Sequence, residues 1–224
     1  MLRRTRTPAL LVALATAIAL AGCGGDSETT AATAPFEPHA TLEAIGGTTR
    51  TDKPEIVLRV EPRAGDDNIR SVAVNLPPVV LVDTTAVGKI CSERELESNG
   101  CAKSNRLGFA RAVSPAYEGA LSGPVYVVSG SGQLPGLVYV LSGPADVQLR
   151  GRVVSKGGRM QAGVDDVPDT PLKSFELRVE GGRSGYLVLS RNICGAEAVA
   201  DGVFTSQDDQ THRQKIPLEA DCGS

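Results

Sequence analysis

Apolar residues recur at every second position through most of this 224-residue chain, and that period limits what it can fold into. Ile56, Leu58 and Val60 alternate with Arg59 and Glu61. An extended segment here has one apolar and one charged face, the pattern of a half-buried strand. The period returns at Val72, Val74 and Leu76, at 125–128, at Leu137, Tyr139 and Leu141, and at Val147, Leu149 and Val153 with Gln148, Arg150 and Arg152 outside. It continues through Phe175, Leu177 and Val179, through 186–189 and 199–204, and into a last strand ending at Ile216 and Leu218. About ten to twelve strands result. Their connectors carry turn chemistry, as in Pro77-Pro78, Gly143-Pro144, Lys156-Gly157-Gly158-Arg159 and Gln207-Asp208-Asp209-Gln210. With 25 Gly and 14 Pro the chain is rich in turns, but it stays below the roughly 25–30% of these residues that marks low-complexity disorder. Short strands without long helical patterns between them predict an all-β fold, an antiparallel β-sandwich, with two small β lobes as the alternative.

The N-terminus is read separately. Arg3, Arg4 and Arg6 precede an apolar run over 9–21, which is short for a bilayer span and has the length of a secretory h-region. The sequence Leu20-Ala21-Gly22-Cys23 resembles the lipobox of bacterial lipoproteins, in which the signal peptidase cuts before the cysteine and that cysteine takes the lipid. The resemblance implies a signal peptide over 1–22, lipidation at Cys23, and the membrane as a partner reached through that lipid. The protein would then sit on the extracytoplasmic face of the cell membrane. The two chains of a diacylglyceryl group anchor stably where a single chain binds only marginally. Residues 23–38 are mostly small or polar, with Phe36 the one large apolar side chain, and cannot bury enough area to offset their ordering entropy. They read as a lipidated, disordered tether. The body covers 39–222, a size that buries about 70% of its unfolded surface; a split near 115–123 is the alternative. Loss of 1–22 removes three arginines and no acid, taking the formal charge from −3 to −6. With 4% aromatic residues and no Trp, this excludes a nucleic-acid surface.

One interruption of the strand pattern is helical. Ser92-Glu93-Arg94-Glu95 has the form of a capping box, and Gly100 can end the turn in the left-handed conformation, so a short helical turn is expected around 92–99. It lies between Cys91 and Cys101, and a disulfide would clamp a turn too short to hold itself in water. Five cysteines leave four once Cys23 is lipidated, and four allow three connectivities. The favoured pairing is Cys91–Cys101 and Cys194–Cys222. Each bond is worth roughly 3 kcal/mol in the chain-entropy model. A metal site is the competing reading, disfavoured because no pair has C-x₂₋₄-C spacing.

The order Leu76-Pro77-Pro78, Cys91-Ser92-Glu93-Arg94-Glu95-Leu96, the run from Cys101-Ala102-Lys103 to Gly108-Phe109-Ala110, and Gly123-Pro124-Val125-Tyr126 resembles a repeated domain of large secreted surface proteins of actinobacteria. Pro171-Leu172-Lys173-Ser174-Phe175-Glu176-Leu177, Gly181-Gly182, the run from Leu187 to Cys194, and Cys222 resemble its closing half. The similarity covers about 36–222 and departs at Ala102, where that family tends to have proline. It implies an all-β, disulfide-bearing exported module with no activity to carry over.

Candidate chemistry is sparse. His39 and His212 have no Cys, Asp or Glu at ligand spacing and read as ordinary exposed histidines. Ser129-Gly130-Ser131-Gly132 lacks the spacing of a nucleophile elbow. Asp66-Asp67-Asn68, Asp165-Asp166 and Asp208-Asp209 do not follow the EF-hand pattern and read as solvated turns. Phe109, Tyr126, Tyr139, Phe175 and Phe204 sit inside strand patterns and are expected in the core. No cofactor or metal is expected, and no catalytic residue stands out. The leading expectation is a non-enzymatic structural or interaction role in the cell envelope. A surface lipoprotein that binds a ligand or glycan, presented to envelope proteins, comes second, and a hydrolase third. A pocket would favour the later two.

Overall fold

The computed structural model describes residues 35–83, 85, 90–130, 134–195 and 197–223. Cys23, the expected signal peptide, the tether up to residue 34, and Ser131 and Gly132 lie outside them. Thirteen strands occur among the described residues: β1 (His39–Ile45), β2 (Glu55–Glu61), β3 (Ile69–Asn75), β4 (Val80–Val82), β5 (Arg106–Val113), β6 (Ala120–Val128), β7 (Gly136–Leu141), β8 (Val147–Lys156), β9 (Arg159–Val164), β10 (Ser174–Val179), β11 (Leu187–Leu189), β12 (Val199–Ser206) and β13 (Thr211–Ala220).

Eleven of these close into one barrel in the order β1-β13-β12-β3-β9-β8-β7-β6-β5-β10-β2, with β2 paired back to β1. The expected sandwich is therefore corrected to a closed barrel, with β4 and β11 forming a separate two-stranded sheet. An odd number of strands cannot alternate direction all the way round, so one pair must run parallel. Here it is β1 with β13, with Leu42 opposite Leu218. Period-two alternation is satisfied equally by a face packed on a second sheet and by a face turned into a lumen, which is why it does not separate the two architectures. Two strand glycines mark where backbones approach closely. A Cβ on Gly108 would stand 1.8 Å from the Arg178 carbonyl oxygen, and one on Gly123 would stand 1.9 Å from that of Val140.

Beside Gly108 the register shifts by a bulge between Arg106 and Gly108. A one-residue slip turns a side chain to the opposite face. The bulge lets Leu107 point inward as Ala110 and Ala112 do, while Phe109, expected in the core, lies with Arg111 on the outer face, 44% exposed, with the Arg106 guanidinium 4.4 Å from its ring centroid. Outside β6 and β7 lies a small second core of Cys91, Leu96, Val128 and Val138, covered by the helical turn α1 (Glu93–Glu97). Ser92 and Glu95 form the reciprocal capping box, while Asn99, not Gly100, adopts the left-handed conformation at φ 53°. Cys91 pairs with Cys101 and Cys194 with Cys222, at Cα separations of 5.5 and 5.6 Å that suit disulfides. Residues 35–38, assigned to the tether on composition, instead pack on the barrel: Phe36 is 4% exposed, Pro38 is buried, and the Phe36 amide donates to the Gln210 side chain.

The outer wall is charged. Glu43, Arg59, Glu176, Arg178 and Glu55 form a ladder of ion pairs across β1, β2 and β10, with Arg59 Nε 2.8 Å from Glu176 and Arg178 Nε 2.9 Å from the same carboxylate. Apolar inside and charged outside is the reverse of a membrane-spanning barrel.

Candidate ligand cavity

The lumen is packed on one side and hollow on the other. Leu42 of β1, Phe204 of β12 and Ile216 of β13 are fully buried. Val147, Leu149 and Val153 of β8, Ala162 of β9 and Val72 of β3 also point inward, yet they are only half-buried because they line unfilled space. That space has a volume of about 820 Å³. It falls within the roughly 300–1,000 Å³ of small-molecule sites, and closed barrels are a recurring container for such ligands. At ~24 cal/mol per Å³, packing this volume would be worth on the order of 20 kcal/mol as an upper bound, more than the whole net stability of a typical domain. Ala162 is the small inward residue on the hollow side, where a larger side chain would enter the lumen.

Both ends of the lumen are crossed by chain rather than left open. At the end where β1 begins, the segment between β9 and β10 runs across the barrel and lays Val167, Pro168, Pro171 and Leu172 against the cavity. It is held by the Val167 amide donating to the Arg70 carbonyl and by Asn68 Nδ2 donating to Asp169. At the other end the β4–β11 sheet forms a cap, contributing Leu81, Val82, Tyr186 and Leu187. The Thr51 amide donates to the Leu189 carbonyl and the Tyr186 hydroxyl to the Ser104 carbonyl, tying the cap to the barrel. The cavity reaches exposed side chains at both ends, Leu81 at 43% and Tyr117 at 37% exposure.

A salt bridge at 2.5 Å between Lys53 and Asp83 clamps the cap. Hydrogen bonding from Lys53, reinforced by the hydroxyl and amide of Thr85, holds the Asp83 carboxyl well below the ordinary carboxylate range. A carboxyl with a lowered folded pKa contributes stability above its unfolded value near ~4 and loses it as pH falls toward the folded value. Asp83→Asn should therefore lower the hydrogen-exchange protection of β4 and β11 at neutral pH while barrel amides keep theirs. The wild type should lose the same protection only in acid. Equal protection of β4 in both proteins would show the clamp to be idle.

Among the described lining residues, Arg159 is the single charged side chain, and its guanidinium is occupied by Asp201 and by the carbonyls of Leu76, Asn75 and Val199. No described lining residue is His, Cys, Asp, Glu or Lys. His39 is exposed at the start of β1, 3.5 Å from Gln214, and His212 leans on Phe204 with ring centroids 6.3 Å apart. The acidic clusters serve turns and ion pairs. Asp66 accepts from the amides of Glu37 and Arg63, Asp67 from those of Asn68 and Asp208, Asp165 pairs with Arg152, and Asp209 pairs with Arg70. Among the described residues no three His, Cys, Asp or Glu side chains come together as metal ligands. The inward residues of β8 and β9 are legible in the sequence as one face of a strand, but not as the wall of a void. The available signal is one small residue, Ala162, at an inward position of β9. No family model, curated protein or solved structure matches this chain, so its function is read from the site itself.

Proposed function

We propose that the body binds an apolar ligand, a lipid or a molecule with a comparable hydrocarbon portion, inside its barrel, and that the lipid on Cys23 holds it at the membrane from which such a ligand would come. The observation that carries the reading is the 820 Å³ lumen walled by aliphatic side chains. The type of lining decides between the ligand classes. A glycan exposes hydroxyls on every face and needs polar partners for them, and burying them against Val, Leu and Ala would leave them unpaired at a cost of roughly 1–3 kcal/mol each. A hydrocarbon chain has no such demand and gains about 0.8 kcal/mol for each CH₂ moved out of water. Hydrolysis has less support still, because the described lining offers no general base or activated nucleophile. The charged outer wall suits a container that stays in water while its contents do not.

The test has two parts. Purified mature protein should bring a solvent-extractable lipid with it, seen by native mass spectrometry and organic extraction, and should enhance the emission of a polarity-sensitive apolar dye saturably at one site. Protein that carries no extractable lipid and binds no dye ends the proposal. The anchoring half is separate: Cys23→Ser should move the protein out of the membrane fraction without changing dye binding.

A further inference from the structure

One polar group deep in the lumen is left unused by the fold. Tyr139 sits midway along β7, opposite Val125 of β6 and Leu149 of β8, and is 5% exposed. Its ring occupies room left by Gly151, where a Cβ would stand 3.1 Å from the ring edge, and meets Phe175 of β10 with centroids 6.2 Å apart. Of the two other tyrosines lining the cavity, Tyr117 is 37% exposed at one end, and Tyr186 donates to the Ser104 carbonyl. The Tyr139 hydroxyl bonds to no described residue. Burial pushes its pKa up to about 12, so it remains a neutral hydroxyl with a proton to donate. The hydroxyl borders the apolar lumen with no described protein partner, so only something occupying the lumen can satisfy it, and leaving it unsatisfied there is costly.

We infer that Tyr139 donates a hydrogen bond to a neutral carbonyl oxygen of the ligand, so that the bound molecule is an ester-type lipid with its carbonyl near the middle of the barrel and apolar chain on either side. The inference rests on the apolar-ligand reading above and narrows it. The carbonyl is neutral because the surroundings cannot hold an ion. Among the described lining residues the one cation, Arg159, already serves Asp201 and three backbone carbonyls, so an ionised carboxylate at Tyr139 would be buried without a described counter-charge. Apolar chain can extend both ways because the lumen reaches Leu81 at one end and Tyr117 at the other. A pure hydrocarbon would fill the space and leave the hydroxyl unpaired.

The experiment displaces an apolar dye from the purified mature protein with methyl laurate and with the n-alkane of equal length, in wild type and in Tyr139→Phe. The variant keeps the ring and removes only the hydroxyl. It should weaken methyl laurate about tenfold and leave the alkane unchanged or slightly tighter. Its unliganded melting temperature should equal or exceed that of the wild type, since no protein hydrogen bond is lost. Equal effects on the two probes, or an unchanged affinity for methyl laurate, would overturn the assignment to a carbonyl. A lower melting temperature would overturn it too, because it would give the hydroxyl a structural partner. Failure of both probes to displace the dye from wild type would end the broader reading, an outcome distinct from these.

Discussion

Val153→Phe combined with Ala162→Phe is expected to abolish dye and lipid binding while leaving the protein as stable as the wild type or more so. The two residues face each other in the β8–β9 register, and both line the hollow side of the lumen. In a close-packed core, each enlargement would force side chains off their rotamers at a cost of about 1–3 kcal/mol. In a void the new rings meet open space first, and each buries apolar area worth roughly 1–2 kcal/mol. The sign of the stability change therefore separates a binding lumen from an ordinary core. Urea denaturation with parallel dye titration reads both quantities. Loss of binding together with a destabilisation of several kcal/mol would mean that the space is a packed interior.

Replacing Cys194 and Cys222 together by Ser should have the largest effect on stability. The bond spans 28 residues, and in the chain-entropy model a closed loop of that size is worth about 3.5 kcal/mol. For a body of this size, that corresponds to a fall in melting temperature of roughly 7–14 °C. The bond joins the segment after β11, part of the cap, to the residues just beyond β13, the parallel partner of β1. Its loss should loosen the cap and the seam first, and exchange protection of β11 and of the end of β13 should fall before that of β6 and β7. The Cys91–Cys101 bond spans 10 residues and clamps α1 against an outer core, so the same double replacement there should cost less, about 2.7 kcal/mol, and leave dye binding intact. A Cys194/Cys222 variant melting within about 3 °C of wild type would set the entropic account aside.

The local features were open to reading from residue order because their causes are local. Ile56, Leu58 and Val60 form one face of β2 as their alternation requires, and Ser92 caps α1 through Glu95 because both partners lie within one turn. The positive φ of Gly157 and Gly158 provides the tight β8–β9 turn that their sequence calls for. The cysteine spacing pointed to the two bonds found, since each closes a short loop. Phe109 marks the limit of this reasoning, since it shares the outer face of β5 with Arg111, while a bulge beside Gly108 turns Leu107 inward out of step with Ala110 and Ala112.

What only the tertiary structure decided is the closure and the hollow. Pairing of β1 with β13 and of β2 with β10 joins segments more than a hundred residues apart, and no local preference encodes which distant edge a strand will meet. Once that ring closes, its circumference is set by eleven strands, whereas its filling is set by side-chain volumes contributed from all of them. Phe204 and Ile216 fill one side, and Ala162 with the short side chains of Val72, Val147 and Val153 leaves the other empty. A residue's alternation determines that it points inward, but whether it meets another side chain or open space depends on the opposite wall, which in the chain lies far away.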